Sequence, residues 1–318
     1  MRAFVFPGQG SQFIGMGKDL AESFAEARET FEEVDDALNQ KLFKLMTEGT
    51  EADLNLTENT QPALMAVSMA IINVIARQGK IQLGSAIKFA AGHSLGEYSA
   101  LTAVGALDLP KTAKLLKLRG QAMQKAVPVG IGSMAAILGL DLPDVQALAK
   151  AAADQAGPKQ VCDCANDNSS GQVVISGHAG AVALAIELAP QKGAKKAVPL
   201  PVSAPFHCTL MAPAAQTMSQ ALADTNIRPP VVPIISNVTA RAVAEPHDIR
   251  RLLVDQITGM VRWRESVSYM KDQGVSEMIE IGAGKVLSGL IKRIEKEVAC
   301  ESVGTPEQVE ALIKKLQG

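Results

Sequence analysis

The sequence predicts an α/β protein: a large domain built on a mostly parallel sheet, with a smaller α+β domain inserted into it. Three observations carry that expectation. Short apolar runs of strand length at residues 3–6, 87–91, 231–236 and 277–281 alternate with longer helix-compatible segments, the order that a parallel sheet with crossover helices requires. One of these runs passes at once into Gly92-His93-Ser94-Leu95-Gly96, a hydroxyl between two glycines at a strand-to-helix turn. Between residues 127 and 199 the texture then changes to short strands and Ala-rich helices. The large domain is therefore assigned to 1–126 and 200–318 and the insertion to 127–199, and 318 residues suffice for both.

The elements follow in order. Residues 3–6 read as a buried strand, closed by Pro7-Gly8-Gln9-Gly10-Ser11-Gln12 and followed by a helix over 19–39. After Gly8 and Gly10 the next glycine is Gly15, too late for the G-x-G-x-x-G spacing of a dinucleotide site. The loop is either a plain turn or a place for close backbone approach to a substrate, with the Gln9 amide as donor. Pro62 suits the first turn of a helix over 63–77. Asp108-Leu109-Pro110 opens another over 111–126, with Arg119 near its end, where most arginines are solvated or face the helix C-terminus.

In the insertion, strands at 133–138, 161–166, 172–176 and 197–200 and helices at 143–156 and 180–193 give a ferredoxin-like β-α-β-β-α-β order. The proline-bounded run Pro201-Val202-Ser203-Ala204-Pro205-Phe206-His207-Cys208 returns the chain to the large domain, and a helix is expected over 210–224. Gly282-Ala283-Gly284-Lys285 lacks the upstream glycine and the Ser/Thr of a phosphate loop.

Composition excludes several classes. A formal charge of -2 provides no global basic field for nucleic acid, and 3% aromatic residues provide no stacking platform. Four cysteines without a regular framework point to reduced thiols and a cytoplasmic location, and Cys162-x-Cys164 has no companions at metal-ligand spacing. No leader is read at the N-terminus and no run of about 18 apolar residues is seen, so no membrane association is expected.

The chemistry lies in a pair. Ser94 at the elbow is a candidate nucleophile, with the Leu95 amide at the start of the next helix as a donor to a developing oxyanion. An elbow serine on a parallel sheet makes the large domain α/β-hydrolase-like. His207, in a loop downstream, is a candidate base. No acid is obviously placed to complete a triad: Asp141, Asp144, Asp154, Asp163 and Asp167 all lie in the insertion. A backbone or amide carbonyl orienting the imidazole would make the site a Ser-His dyad.

Phe6-Pro7-Gly8-Gln9-Gly10-Ser11-Gln12, Thr60-Gln61-Pro62-Ala63-Leu64, Gly92-His93-Ser94-Leu95-Gly96-Glu97-Tyr98, Arg119-Gly120, Pro205-Phe206-His207, Asn237-Val238 and Gly282-Ala283-Gly284-Lys285-Val286-Leu287 share an order and spacing. Over nearly the whole chain they resemble the malonyl-CoA:acyl-carrier-protein transacylases, in the free-standing form of type II fatty-acid synthesis. That resemblance implies Ser94 as nucleophile, His207 as base, a Gln256 carbonyl orienting the ring, and the Gln9 and Leu95 amides as oxyanion donors. It implies Arg119 as partner of the malonyl carboxylate, to which a planar fork is matched. Ala283 stands where the family commonly has proline. Phe206 before the histidine would crowd an α-methyl and favour malonyl over methylmalonyl.

The resemblance also implies malonyl-CoA and an acyl carrier protein as partners, with no metal or cofactor, and a monomer is expected. A serine hydrolase is the alternative, separated by the Arg119 clamp. Carrier proteins of this kind are acidic, so docking is expected on Lys195, Lys196, Lys292 and Arg293.

Overall fold

The computed structural model describes every residue of the chain except Ser203. Ten strands occur among the described residues: β1 (Arg2–Phe6), β2 (Phe89–Gly92), β3 (Gly132–Leu138), β4 (Cys162–Ser169), β5 (Gln172–His178), β6 (Lys196–Pro199), β7 (Ile234–Ile235), β8 (Ala242–Val243), β9 (Glu277–Ile281) and β10 (Ala299–Val303). They form two sheets, one of six strands in the order β10-β9-β1-β2-β7-β8 and one of four in the order β4-β5-β3-β6. The first is parallel except for the β7–β8 hairpin; the second is antiparallel throughout.

The central strands of this sheet, β1, β2 and β7, are buried on both faces, which is why they are apolar without alternation. Phe4 and Phe6 point into the larger core, built with the helix Thr57–Arg77, while Ala3 and Val5 point into a second core around Trp263. From β1 the chain goes to one side through β2 and β7 and returns to the other through β9 and β10. The carboxyl ends of β1 and β2 finish level, Phe6 opposite Gly92, and loops leaving such a switch point hold sites in open α/β sheets.

The antiparallel sheet uses its alternation. Ala135, Ile137, Val173 and Ile175 pack under the helices Leu142–Ala156 and Ala179–Leu188, whereas Met134 and Val174 on the opposite face join the large core. One face of the small sheet thus closes over the end of the large one.

The structure corrects several expected bounds. The helix expected over 19–39 is two, Lys18–Ser23 and Ala25–Leu38, broken where Phe24 adopts extended backbone and buries its ring. The helix expected from 63 begins at Thr57, with Pro62 inside it. Its first turns are tied by side chains, Asn59 Nδ2 donating to the Asp53 carbonyl and Thr60 Oγ1 to the Leu54 carbonyl, so an early proline does not end it. By length and composition this helix could cross a membrane, where the sequence reading saw no such span; 89% of its most apolar window is buried inside the protein.

Candidate active site

The elbow is held by what glycine leaves out. A Cβ on Gly92 would sit 1.9 Å from the Gly96 carbonyl oxygen, and one on Gly96 would sit 2.2 Å from that of Phe6. Ser94 between them has φ 54° and ψ -109°, a conformation a non-glycine residue keeps only when its surroundings impose it. Two side chains do so. Asn237 Oδ1 accepts the Ser94 N–H at 2.7 Å, and Gln256 Nε2 donates to the Ser94 carbonyl at 3.0 Å. Asn237 is itself anchored, its Nδ2 donating to the Gly92 carbonyl at 2.7 Å.

His207, also left-handed with φ 57°, places Nε2 2.8 Å from Ser94 Oγ and Nδ1 2.9 Å from the Gln256 carbonyl oxygen. A carbonyl only accepts, so Nδ1 carries the proton and Nε2 is left to take the hydroxyl's. Burial, and after it the Arg119 guanidinium, pushes the imidazole down to about 3, so the ring is neutral at ordinary pH. The aspartates of the small sheet are spent elsewhere: Asp141 on Ser170, Asp163 on Thr209, Asp167 on Arg264.

Arg119, only 1% exposed, projects from the helix Leu109–Lys125 into the same place. Nη2 donates to Ser94 Oγ at 3.0 Å and to Gln256 Oε1 at 2.8 Å, and Nη1 donates to Gln61 Oε1 at 2.7 Å. Its Nε has no acceptor among the described residues. The helix gets this close because Gly120 lies on the Thr57–Arg77 backbone, where a Cβ would meet Glu58 Cα at 2.5 Å. Gln61 in turn donates to Thr57 Oγ1, which donates to Gln9 Oε1, so the loop after β1 is tied to the same network.

Around these groups is a cavity of about 120 Å³, lined by Gln9, His93, Ser94, Leu95, Arg119, Met134, Phe206 and His207 among others. Leu95 is the first residue of the helix after the elbow, where an amide has no carbonyl a turn behind it. Phe206 is buried against the cavity. Met134 comes from β3 and Asn166 from β4, so the small sheet supplies part of the wall, while loops and helices of the large domain supply the rest.

The four basic residues lie elsewhere. Arg293 Nη1 donates to Gln172 Oε1, Gln172 pairs with Leu138, and Leu138 pairs with Lys196 and accepts from the Lys195 amide. These three therefore gather at one end of the small sheet. Lys292 lines a separate cavity of about 690 Å³, with Lys285 and Lys315. Among the described residues no cluster of three or more His, Cys, Asp or Glu is arranged to hold a metal ion.

Sequence reasoning quoted Gln61, Glu97 and Asn237 only as parts of motifs. Glu97 accepts from the Asn237 amide at 3.1 Å and from Gln256 Nε2 at 2.8 Å, and burial pushes its carboxyl up to about 7. These contacts join residues 140 and 159 apart in the chain, so no local pattern could announce them.

An elbow serine, a carbonyl-oriented imidazole and a buried arginine meet in one cavity, and the acyl transferase domain family matches residues 3–316. The chain belongs to that family and, within it, to the malonyl CoA-acyl carrier protein transacylases. It is 44% identical over 315 residues to the protein of that name from Bacillus subtilis, covering 99% of this chain and 97% of the relative. The crystal structure of an acyl-carrier-protein-S-malonyltransferase from Bartonella henselae matches with a TM-score of 0.96 at 54% identity, covering 100% and 99% of the two chains. A malonyl-transacylase solved in complex with a type II polyketide synthase acyl-carrier protein matches at 0.94 and 41% identity, covering 99% of each chain.

Proposed function

We propose that this chain transfers the malonyl group of malonyl-CoA to the phosphopantetheine thiol of an acyl carrier protein, through an ester on Ser94, and so supplies fatty-acid synthesis. The carrying observation is the convergence on one hydroxyl: His207 Nε2 at 2.8 Å and Arg119 Nη2 at 3.0 Å from Ser94 Oγ. The relatives' names and the carrier-protein complex support the two partners.

In the first exchange the Ser94 hydroxyl attacks the thioester carbonyl while its proton passes to His207 Nε2. The resulting oxyanion is held by the Gln9 and Leu95 amides. Collapse breaks the C–S bond, His207 returns the proton to the coenzyme A sulfur, and malonyl-Ser94 remains. In the second, the carrier's thiol gives its proton to His207 and attacks the ester, releasing the Ser94 oxygen, which takes that proton back. Arg119 receives the free malonyl carboxylate, for which its unspent Nε is a further donor. Phe206 limits room at the α-carbon, favouring malonyl over methylmalonyl.

We further infer docking of the acidic carrier on Lys195, Lys196, Lys292 and Arg293, and a monomeric, cytoplasmic enzyme needing no cofactor; four unpaired thiols support a reducing compartment. The small sheet's β-α-β-β-α-β order supports a ferredoxin-like insertion over 127–199, and the elbow supports an α/β-hydrolase-like large domain.

The test is product partition. With malonyl-CoA and carrier protein present, malonyl-carrier should accumulate at the expense of free malonate. Release of malonate at the same rate with and without carrier would favour a hydrolase and overturn the reading.

A further inference from the structure

Glu97 is 1% exposed in the first turn of the elbow helix, and no step above uses it. Both of its hydrogen bonds fall on one oxygen, Oε2, from the Asn237 N–H at 3.1 Å and Gln256 Nε2 at 2.8 Å. Those two residues are the ones that grip Ser94: Asn237 Oδ1 accepts the Ser94 N–H, and Gln256 Nε2 donates to the Ser94 carbonyl.

The chemistry of Gln256 makes this contact directional. Its side-chain amide has a donating end and an accepting end. An ionised carboxylate and a carbonyl only accept, so Glu97 and the Ser94 carbonyl together hold the NH₂ end. Oε1 is then forced toward Arg119 Nη2, which donates to it at 2.8 Å. Turning the amide over would set oxygen against the Glu97, Ser94 and Asn237 acceptors and NH₂ against a guanidinium, losing all four contacts. A neutral carboxyl would still accept both bonds at its carbonyl oxygen, and burial favours that form, while the two donors and the Arg119 charge favour the carboxylate, which can only accept.

We propose that Glu97 is a positioning residue for the transfer: through Asn237 it holds the strained Ser94 backbone, and through the Gln256 side chain it fixes Arg119 for the malonyl carboxylate. This rests on the assignment of Ser94 and Arg119 above. Glu97→Gln keeps shape and volume but exchanges an obligate acceptor for a group that also donates. Glu97→Asp keeps the charge but withdraws it by one methylene.

The experiment measures Ser94 acylation by malonyl-CoA and by acetyl-CoA in the native protein, Glu97→Gln, Arg119→Ala and the double variant, with thermal melts alongside. Glu97→Gln should slow malonyl acylation about 10- to 100-fold, as losing the hydrogen-bond partner of a ligating group does at metal sites, and narrow the malonyl-to-acetyl ratio. In the Arg119→Ala background it should leave that ratio where Arg119→Ala alone puts it. A purely structural Glu97 would lower the melting point and leave the ratio alone, and that result overturns the proposal. So does a ratio that drops independently in the two single variants and multiplies in the double.

If Arg119→Ala itself leaves the ratio unchanged, the Arg119 assignment fails, and the Ser94 arm decides for Glu97. Acylation by both thioesters must then still fall in Glu97→Gln, and unchanged acylation refutes the inference. Should Glu97→Gln not fold, Glu97→Asp is read the same way.

Discussion

Titration of His207 offers the sharpest physical check, because base catalysis depends on the ring being neutral. Burial and the Arg119 charge move the imidazole from its ordinary 6.5 to about 3, which corresponds to on the order of 5 kcal/mol between the folded and unfolded chains. A ring whose folded value is depressed contributes its full stability above the unfolded value, and that stability is lost as pH falls from 6.5 toward 3. The assay is the ¹³Cε1 shift of labelled histidines between pH 8 and 4, with His207→Gln assigning the resonance. Ring shifts are preferable to rates here, since the Glu97 carboxyl, pushed up to about 7, also titrates in that window. The His207 signal should remain that of a neutral Nδ1-protonated ring down to pH 4. Arg119→Ala removes the second cause and should raise the midpoint. A midpoint near 6.5 in the native protein would refute the burial argument, and no rise in the variant would refute the contribution of the Arg119 charge.

Other outcomes follow from the same geometry. Arg119→Ala should weaken malonyl-CoA use and relieve discrimination against acetyl-CoA by about 2–5 kcal/mol in relative specificity, the range for stripping one partner from a desolvated charge pair; competition between the two thioesters reads it, and an unchanged preference contradicts it. Gly96→Ala puts a methyl 2.2 Å from the Phe6 carbonyl oxygen, so denaturant unfolding should show a loss of about 3 kcal/mol or more, and an unchanged midpoint would mean the elbow is not packed as described. Charge reversal at Lys195, Lys196, Lys292 and Arg293 should raise the Michaelis constant for carrier protein and flatten its salt dependence, while acylation by malonyl-CoA stays near normal. Equal loss in both half-reactions would rule out that surface.

The parallel core was legible because its strands carry an unmixed apolar signal: Ala3 and Val5 face one core, Phe4 and Phe6 the other. Ser94 was legible because an elbow forces glycines at fixed offsets. Short-range reasoning failed where tertiary contact decides. Phe24 ends a helix because its ring is wanted inside, and Pro62 sits within a helix because side chains of its neighbours hold the first turns. Arg119 reads as an ordinary helix arginine until Gly120 is seen to let its helix approach residues 57–77. Gln61, Glu97 and Asn237 have no signal of their own, since each matters through a partner more than fifty residues distant.

The claim at the centre is that Ser94 carries the acyl group between two thiols. Brief incubation with malonyl-CoA, an acid quench and peptide mass mapping locate the adduct, and a chase with carrier protein follows its fate. The malonyl mass should lie on the peptide containing Ser94, be absent from Ser94→Ala, and disappear from the enzyme as it appears on the carrier's phosphopantetheine. An adduct on another residue, or one retained in Ser94→Ala, would contradict the account.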